Sequence, residues 1–123
     1  MKILLSINPK YVEKIFSGEK KYEYRRNIFK NKNIDTIVMY STSPIKKVVG
    51  EFKIKNIIED FPQKLWELAP NSTGIDKESF EKYFFNKEKG FAIEIGKIVK
   101  YEFPKLLKDY CIEKAPQSFM YLK

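Results

Sequence analysis

Residues 18–26 read GEKKYEYRR and carry the chain from a predicted helix into a predicted strand. Asn8 and Pro9 begin the helix, because asparagine caps helix N-termini and proline is favoured at the first helical position. Gly18 ends it, as glycine commonly does at a helix C-terminus. Beyond the glycine, the side-chain pattern changes to a period of two. We therefore predict a strand over residues 20–29 with polar side chains on both faces.

Among 24 Lys plus Arg residues, the only arginines are Arg25 and Arg26. Strict alternation places Lys21, Glu23 and Arg25 on one face of the strand. The other face carries three side chains: Tyr22, Tyr24 and Arg26. If Glu23 and Arg25 point inward, each needs the other or a ligand, because a buried unpaired charge is costly. They form either a structural ion pair or, as we favour, a site. In that site Arg25 presents its planar guanidinium to a phosphate or base edge, and Glu23 holds it in place.

Patterns on both sides of this stretch predict a mixed architecture. Period-two alternation and β-branched runs predict further strands over these residues: 2–7, 36–40, 46–58, 91–103 and part of 115–121. Pro62 and Asp76 begin two more short helices. Gly50 marks a bulge, and Pro104 ends its strand. Five or six mostly antiparallel strands flanked by three short helices predict an α+β fold, a curved sheet or small barrel, in one domain over residues 1–123.

The composition excludes several kinds of site. The 123 residues include no histidine and one cysteine, which excludes Ser-His-Asp and Cys-His catalysis, histidine-ligated zinc and an internal disulfide. We therefore expect no metal and no cofactor. Cys111 lies among apolar residues and is predicted to be buried and unreactive. The sequence has no run of about 18 apolar residues, so we expect a cytoplasmic protein with no membrane partner.

A formal net charge of +8 favours an anionic partner such as a nucleic acid. The abundance of Lys, Asn and Ile also indicates a compositional bias, which accounts for part of this charge. Exposed aromatic side chains beside cations stack on nucleobases, which makes Tyr40 and Trp66 candidates for base contacts. Trp66 has a competing interpretation, because Leu65 and Leu68 on the same short helix favour a place in the core.

The residue pattern resembles the ASCH domain, a member of the PUA-like superfamily. The pattern begins with Gly18-x-Lys20-x-x-Glu23-x-Arg25, after an N-terminal strand and helix. Further blocks extend the resemblance over almost the whole chain: residues 38–44, 49–52, 65–66, 74–75 and 116–119. The resemblance implies a PUA-like small β-barrel of five or six strands flanked by helices, with a cleft lined by the helix-to-strand stretch.

The resemblance also implies which side chains line this cleft. It gives six ligand-binding candidates: Lys20, Glu23, Arg25, Tyr40, Ser41 and Gln117. Three further candidates are added from the polar stretch and the lone tryptophan: Lys21, Arg26 and Trp66. Strict alternation places Lys20 opposite Glu23, so a bulge or loop at the start of the strand is needed for both to face the cleft. The expected partner is RNA, another single-stranded nucleic acid or a nucleotide-like small molecule.

The resemblance favours a binding function over an enzymatic one. Related PUA-like domains bind RNA or modified bases, so we expect RNA or nucleotide binding, in RNA metabolism or transcriptional regulation. One ASCH branch hydrolyses acetylated cytidine with a Lys, a Thr and a Glu. Glu23 occupies the position of that threonine, and residues 71–73, in the region that matches the glutamate, hold no acid. The alternative is a small hydrolase acting on a modified nucleoside, like an acylcytidine amidohydrolase, or on RNA, with Lys20 and Glu23 transferring protons.

Overall fold

The computed structural model describes residues 1–70 and 74–122, so residues 71–73 of the amidohydrolase comparison lie outside the described residues. The elements in chain order are β1 Lys2–Ile7, α1 Pro9–Phe16, β2 Tyr22–Arg25, β3 Thr36–Ser41, β4 Lys47–Asp60, α2 Pro62–Glu67, α3 Lys77–Tyr83, β5 Gly90–Lys105, a 3-10 helix Leu107–Tyr110 and β6 Phe119–Leu122. The predicted α+β class, with six strands and three short α-helices, is confirmed. None of the described helices is long and apolar enough to cross a lipid bilayer.

The six strands form one sheet in the order β2-β5-β4-β3-β1-β6. β1 and β3 are parallel, and the other neighbouring pairs are antiparallel. The edge strands β2 and β6 share no ladder within the described residues. Arg25 on β2 nevertheless donates from Nη2 to Oγ of Ser118, which immediately precedes β6, at 2.6 Å. The sheet is therefore curled but is not closed into the predicted barrel, and a side-chain hydrogen bond bridges its open seam.

The curled sheet packs against helices on two sides. One apolar cluster joins the sheet to α1 around Ile3, Ile37 and Phe52, which are fully buried. A second cluster, which includes Leu65 and Phe80, joins α2 and α3 to β2, β4 and β5. A third lies where the C-terminal segment covers β1, β3 and β4. β2 joins the second of these clusters through Tyr22 and Tyr24.

Two capping interactions and one glycine confirm the predicted helix boundaries. Asn8 Oδ1 accepts a hydrogen bond from Lys10 N at 2.9 Å, and Asp76 Oδ1 accepts one from Ser79 N at 2.8 Å. Gly18 has a φ of 82°, the left-handed conformation that glycine adopts easily after a helix. The chain turns at this glycine and enters the loop that leads to β2.

β2 is shorter than the predicted strand over residues 20–29. Before it, Lys20 N donates to Lys14 O at 2.9 Å, so the loop is held against the end of α1. After it, Arg26 N donates to Tyr83 Oη at 3.1 Å instead of pairing with a strand. A hydrogen bond to the end of α1 before β2, and one to distant Tyr83 after it, therefore replace ladder pairing at the two ends of the predicted strand.

β5 differs from the prediction at its end, because it continues through Pro104 to Lys105. β2 pairs only with residues 91–94 of β5, so one side of the later part of β5 has no strand partner in the described chain. Proline is tolerated at such a free edge because no backbone donor is needed there. The predicted bulge is confirmed, since the β4–β5 register shifts between Val48 and Gly50.

Cys111 is exposed, so the prediction of a buried cysteine is wrong. It follows the 3-10 helix and has a φ of 60°. The neighbouring Tyr110 and Ile112 pack against the third apolar cluster. The left-handed turn between them directs the cysteine side chain to solvent, which apolar neighbours in the sequence do not reveal.

Candidate functional site

A chain of buried ionic contacts joins Lys20, Glu23 and Arg25. Lys20 Nζ lies 3.2 Å from Glu23 Oε1, and Arg25 Nη1 lies 3.3 Å from Glu23 Oε2. The side chains are 3% exposed for Lys20, 8% for Glu23 and 12% for Arg25. Arg25 also donates to Ser118, and Lys20 also donates to the carbonyl oxygen of Tyr22. One carboxylate therefore compensates two buried cations, and this ionic cluster keeps one excess positive charge.

The Lys20 ammonium is held between the carboxylate and two aromatic rings. Its Nζ lies 4.9 Å from the ring centroid of Tyr24 and 5.8 Å from that of Tyr11, within range of cation–π attraction. Burial lowers the pKa of Lys20 below its ordinary value of 10.5, and the neighbouring Glu23 carboxylate opposes this effect. Lys20 is therefore a lysine that gives up its proton more readily than one at the surface.

The loop before β2 explains why Lys20 and Glu23 meet. Strict alternation would place them on opposite faces, but Lys20 lies outside β2 and the alternation does not apply to it. The predicted need for a loop at the strand start is therefore confirmed. Gly74 covers the stem of Lys20 and has a φ of 69°. A Cβ added to Gly74 would lie 2.6 Å from Lys20 Cβ, so only glycine fits there.

We expect Gly74→Ala to destabilise the fold more than Gly18→Ala and to displace Lys20. Both glycines have a left-handed φ, which costs an L residue roughly 1–2 kcal/mol. An added Cβ at Gly18 meets its nearest atom at 3.8 Å, whereas at Gly74 it would clash with the Lys20 stem. Urea unfolding of the two variants measures the difference, and equal losses of unfolding free energy would contradict the close packing.

The ionic cluster forms one wall of a cavity of about 190 Å³ between β1, α1, β2 and α3. Ten residues line it: Ser6, Ile7, Asn8, Tyr11, Lys20, Glu23, Tyr24, Arg25, Ile75 and Tyr83. Cavities for drug-sized ligands measure about 300–1,000 Å³. This cavity therefore fits one part of a nucleotide, such as a base or a phosphate.

The polar side chains around the cavity offer more donors than acceptors. Asn8 Oδ1 is occupied by the helix cap, which leaves its amide hydrogens to donate. Tyr83 Oη accepts from Arg26 N, which leaves its hydroxyl hydrogen. Burial raises the pKa of Tyr11 and of Tyr83, so both stay protonated at neutral pH. The lone carboxylate among the described lining residues, Glu23, already contacts two cations. This inventory suits a ligand group rich in acceptors.

Half of the predicted ligand-binding residues line the cavity: Lys20, Glu23 and Arg25. Tyr40 and Ser41 do not, because both are buried in β3, a strand between two others in the sheet. Tyr40 packs in the third apolar cluster and is only 7% exposed, so its ring has no free face for a base. Ser41 lines a separate groove beside α1. Gln117 is exposed and precedes Ser118, which bonds to Arg25.

The three further candidates lie outside the cavity lining. Lys21 is exposed in the loop before β2. Arg26 Nη1 donates to two carbonyl oxygens at the end of α3, at 2.7 and 3.0 Å, and so fastens β2 to that helix. Trp66 is partly buried and packs against Phe80 at the edge of the second apolar cluster, with ring centroids 5.1 Å apart.

The sequence patterns did not assign six polar residues at or beside the cavity to the site: Ser6, Asn8, Tyr11, Tyr24, Tyr83 and Ser118. The helical pattern assigns Asn8 to a cap and Tyr11 to an apolar face, and only the fold reveals that both border a cavity. The sequence does indicate Ser118 indirectly, because this residue lies inside the block 116–119 that carries the family resemblance. Across residues 1–70 and 74–122, no three Cys, Asp or Glu side chains gather as they would around a metal ion.

Comparisons with known proteins agree with this fold. The ASCH domain family model matches residues 5–99. The large ribosomal subunit protein uL22 of Ureaplasma parvum serovar 3 is 34% identical over 122 residues, which are 98% of this chain and 39% of that protein. An ASCH domain-containing ribonuclease of Zymomonas mobilis is 28% identical over 89 residues, which are 72% of this chain and 60% of that protein.

A solved structure also agrees with this fold. The crystal structure of ASCH from Zymomonas mobilis matches with a TM-score of 0.89 and 25% identity, over 99% of this chain and 87% of that one. The chain spans only 39% of the length of the ribosomal relative and 60% of the ribonuclease. Similarity to these relatives therefore concerns one part of each of them.

Proposed function

The chain belongs to the ASCH domain family, and on that premise we propose that it binds single-stranded RNA and holds one phosphate group in the cavity beside Arg25. The observation that carries the proposal is the buried ionic cluster of Lys20, Glu23 and Arg25. A structural ion pair needs one cation, and burying a second against the same carboxylate adds a desolvation cost. A ligand anion compensates that second cation.

Three properties of the cavity favour a phosphate over a base. The ionic cluster has one excess positive charge. The free side-chain groups are mostly donors, and phosphate oxygens are acceptors. Arg25 has a planar fork of donors that suits phosphate geometry better than a lysine does. The relative named as a ribonuclease supports RNA as the source of the phosphate.

Titration of a short labelled single-stranded RNA at several salt concentrations tests this function. We expect micromolar affinity at low salt that weakens as salt rises, with a slope of about −0.7 in log K against log salt for each phosphate contacted. DNA of the same sequence is the matched ligand control. Binding weaker than millimolar at low salt would overturn the proposal, and equal affinity for DNA would overturn the assignment to RNA.

A second candidate function, cleavage of the bound RNA, is favoured by the lowered pKa of Lys20 beside Glu23. Cleavage by the neighbouring 2′-hydroxyl needs one group that takes a proton and one that gives a proton to the leaving oxygen. Glu23 and Lys20 supply such a pair, and Arg25 is placed to stabilise charge on the phosphate. The 28% identity with a protein named a ribonuclease supports RNA cleavage as the reaction.

Cleavage is tested with end-labelled RNA and two neighbouring lysine variants. Lys20→Ala removes the buried ammonium, and we expect it to lower the cleavage rate about 100-fold or more. Lys21→Ala is the control, because Lys21 is exposed and lies outside the cavity lining. Cleavage that survives Lys20→Ala, or no cleavage by the wild-type chain, would overturn this candidate and leave the binding function in place.

A further inference from the structure

A surface groove of about 580 Å³ lies between the segment after β2 and the loop before β5. Asn27 and Lys30 line it from the first segment, and Lys87 and Lys89 line it from the loop. Phe91 at the start of β5 completes this part of the wall. Lys87 Nζ donates to Asn27 Oδ1 at 3.2 Å, so the two segments are joined at the groove.

The β2–β5 ladder places one residue of the cavity lining beside one residue of the groove lining. Arg25 of β2 pairs directly with Phe91 of β5 in an antiparallel ladder. Side chains of directly opposed residues lie on the same face of a sheet, and their Cα atoms are about 4.5–5.5 Å apart. Arg25 lines the cavity, and Phe91 lines the groove. An RNA strand with a phosphate at Arg25 is therefore one β-ladder pair away from the groove wall at Phe91.

The chemistry of the groove matches that of a nucleic-acid strand. Three lysines face two carboxylates along it: Lys30, Lys87 and Lys89 against Glu59 and Glu88. The excess charge is positive, as it is in the ionic cluster. Ile28 and Phe91 add apolar surface to the same lining. Surfaces that bind single strands combine cations for the backbone with aromatic side chains on which bases stack.

We propose that this groove is the track of the RNA strand beyond the cavity, with Lys87 and Lys89 contacting the phosphates next to the one held by Arg25. The proposal rests on the proposed function and defines the ligand as a strand of several nucleotides. The cavity, at about 190 Å³, holds one phosphate or one base. The remaining nucleotides need an adjoining cationic surface, and the groove supplies it.

The salt dependence of RNA affinity tests the track through a double variant, Lys87→Ala with Lys89→Ala. For single strands, each lost phosphate contact makes the slope of log K against log salt less negative by about 0.7. We therefore expect a change of about 1.4 in slope and weaker binding at low salt. The control is Lys97→Ala with Lys108→Ala, which removes the same charge from two exposed lysines outside both the cavity and the groove.

The possible outcomes of this titration distinguish the track from the cavity proposal and from the proposed function. A changed slope in the groove variant alone supports the track. A wild-type slope in the groove variant, while the wild-type chain binds RNA, overturns the track and leaves the cavity proposal in place. Equal changes in both double variants indicate a dependence on net charge alone and also overturn the track. A wild-type chain that does not bind RNA overturns the proposed function itself.

Discussion

Replacing Glu23 with glutamine is expected to lower the free energy of unfolding by about 3–5 kcal/mol, the cost of breaking a buried ion pair. Glutamine keeps the shape of the side chain but removes the carboxylate charge that compensates two cations. Lys20 and Arg25 are 3% and 12% exposed, so water replaces the lost carboxylate only in part. This loss is a large fraction of the stability of an ordinary domain.

The matched control is Glu78→Gln, which removes a carboxylate from an exposed pair on α3. Glu78 lies 3.2 Å from Lys82, and the two side chains are 79% and 76% exposed. Helix surface pairs of this kind contribute about 0.3–0.5 kcal/mol. Urea unfolding of both variants gives the comparison. A loss at Glu23 no larger than the loss at Glu78 would contradict the burial of the ionic cluster.

Replacing Arg25 with lysine is expected to weaken RNA affinity about 10–100-fold, as the loss of a charge-assisted hydrogen bond does. The substitution keeps the charge and removes the planar fork. Arg25 reaches Glu23 with Nη1 and Ser118 with Nη2, at 3.3 and 2.6 Å. A lysine ammonium is a single point and cannot hold both contacts while it also presents donors to a phosphate. Fluorescence anisotropy with labelled RNA measures the loss.

Arg26→Lys provides the control for this substitution on the adjacent residue. Arg26 bonds to carbonyl oxygens at the end of α3 and does not line the cavity. We expect Arg26→Lys to reduce stability and to leave RNA affinity near that of the wild type. Equal affinity losses at both positions would contradict a specific role for the Arg25 fork and would indicate a general effect of the arginines.

Most elements of the fold were predictable because their signals are local. The cap at Asn8, Pro9 and the glycine at position 18 each act on near neighbours in the chain, so their effects are visible in the sequence. The ends of β2 and β5 were not predictable from the sequence, because they depend on residues that are distant in the chain. Arg26 N donates a hydrogen bond to Tyr83 Oη. Pro104 lies on the part of the β5 edge that does not pair with β2.

The candidate site was predictable where oppositely charged residues lie close together in the sequence. Glu23 and Arg25 are two residues apart on one strand, and alternation alone brings them together. Lys20, the third member of the ionic cluster, reaches Glu23 only because the loop before β2 interrupts this alternation. Tyr40 was misplaced because a strand end looks exposed in the sequence, whereas β3 lies between β1 and β4 and its side chains are covered.

The central claim is that the cavity beside Arg25 holds a phosphate of an RNA strand. The most direct test is a crystal structure of the chain in complex with a short single-stranded RNA. The structure is predicted to show a phosphate oxygen within hydrogen-bonding distance of the Arg25 guanidinium, with Glu23 still paired to Lys20. An RNA strand bound to another surface, with no contact to Arg25, would contradict the claim.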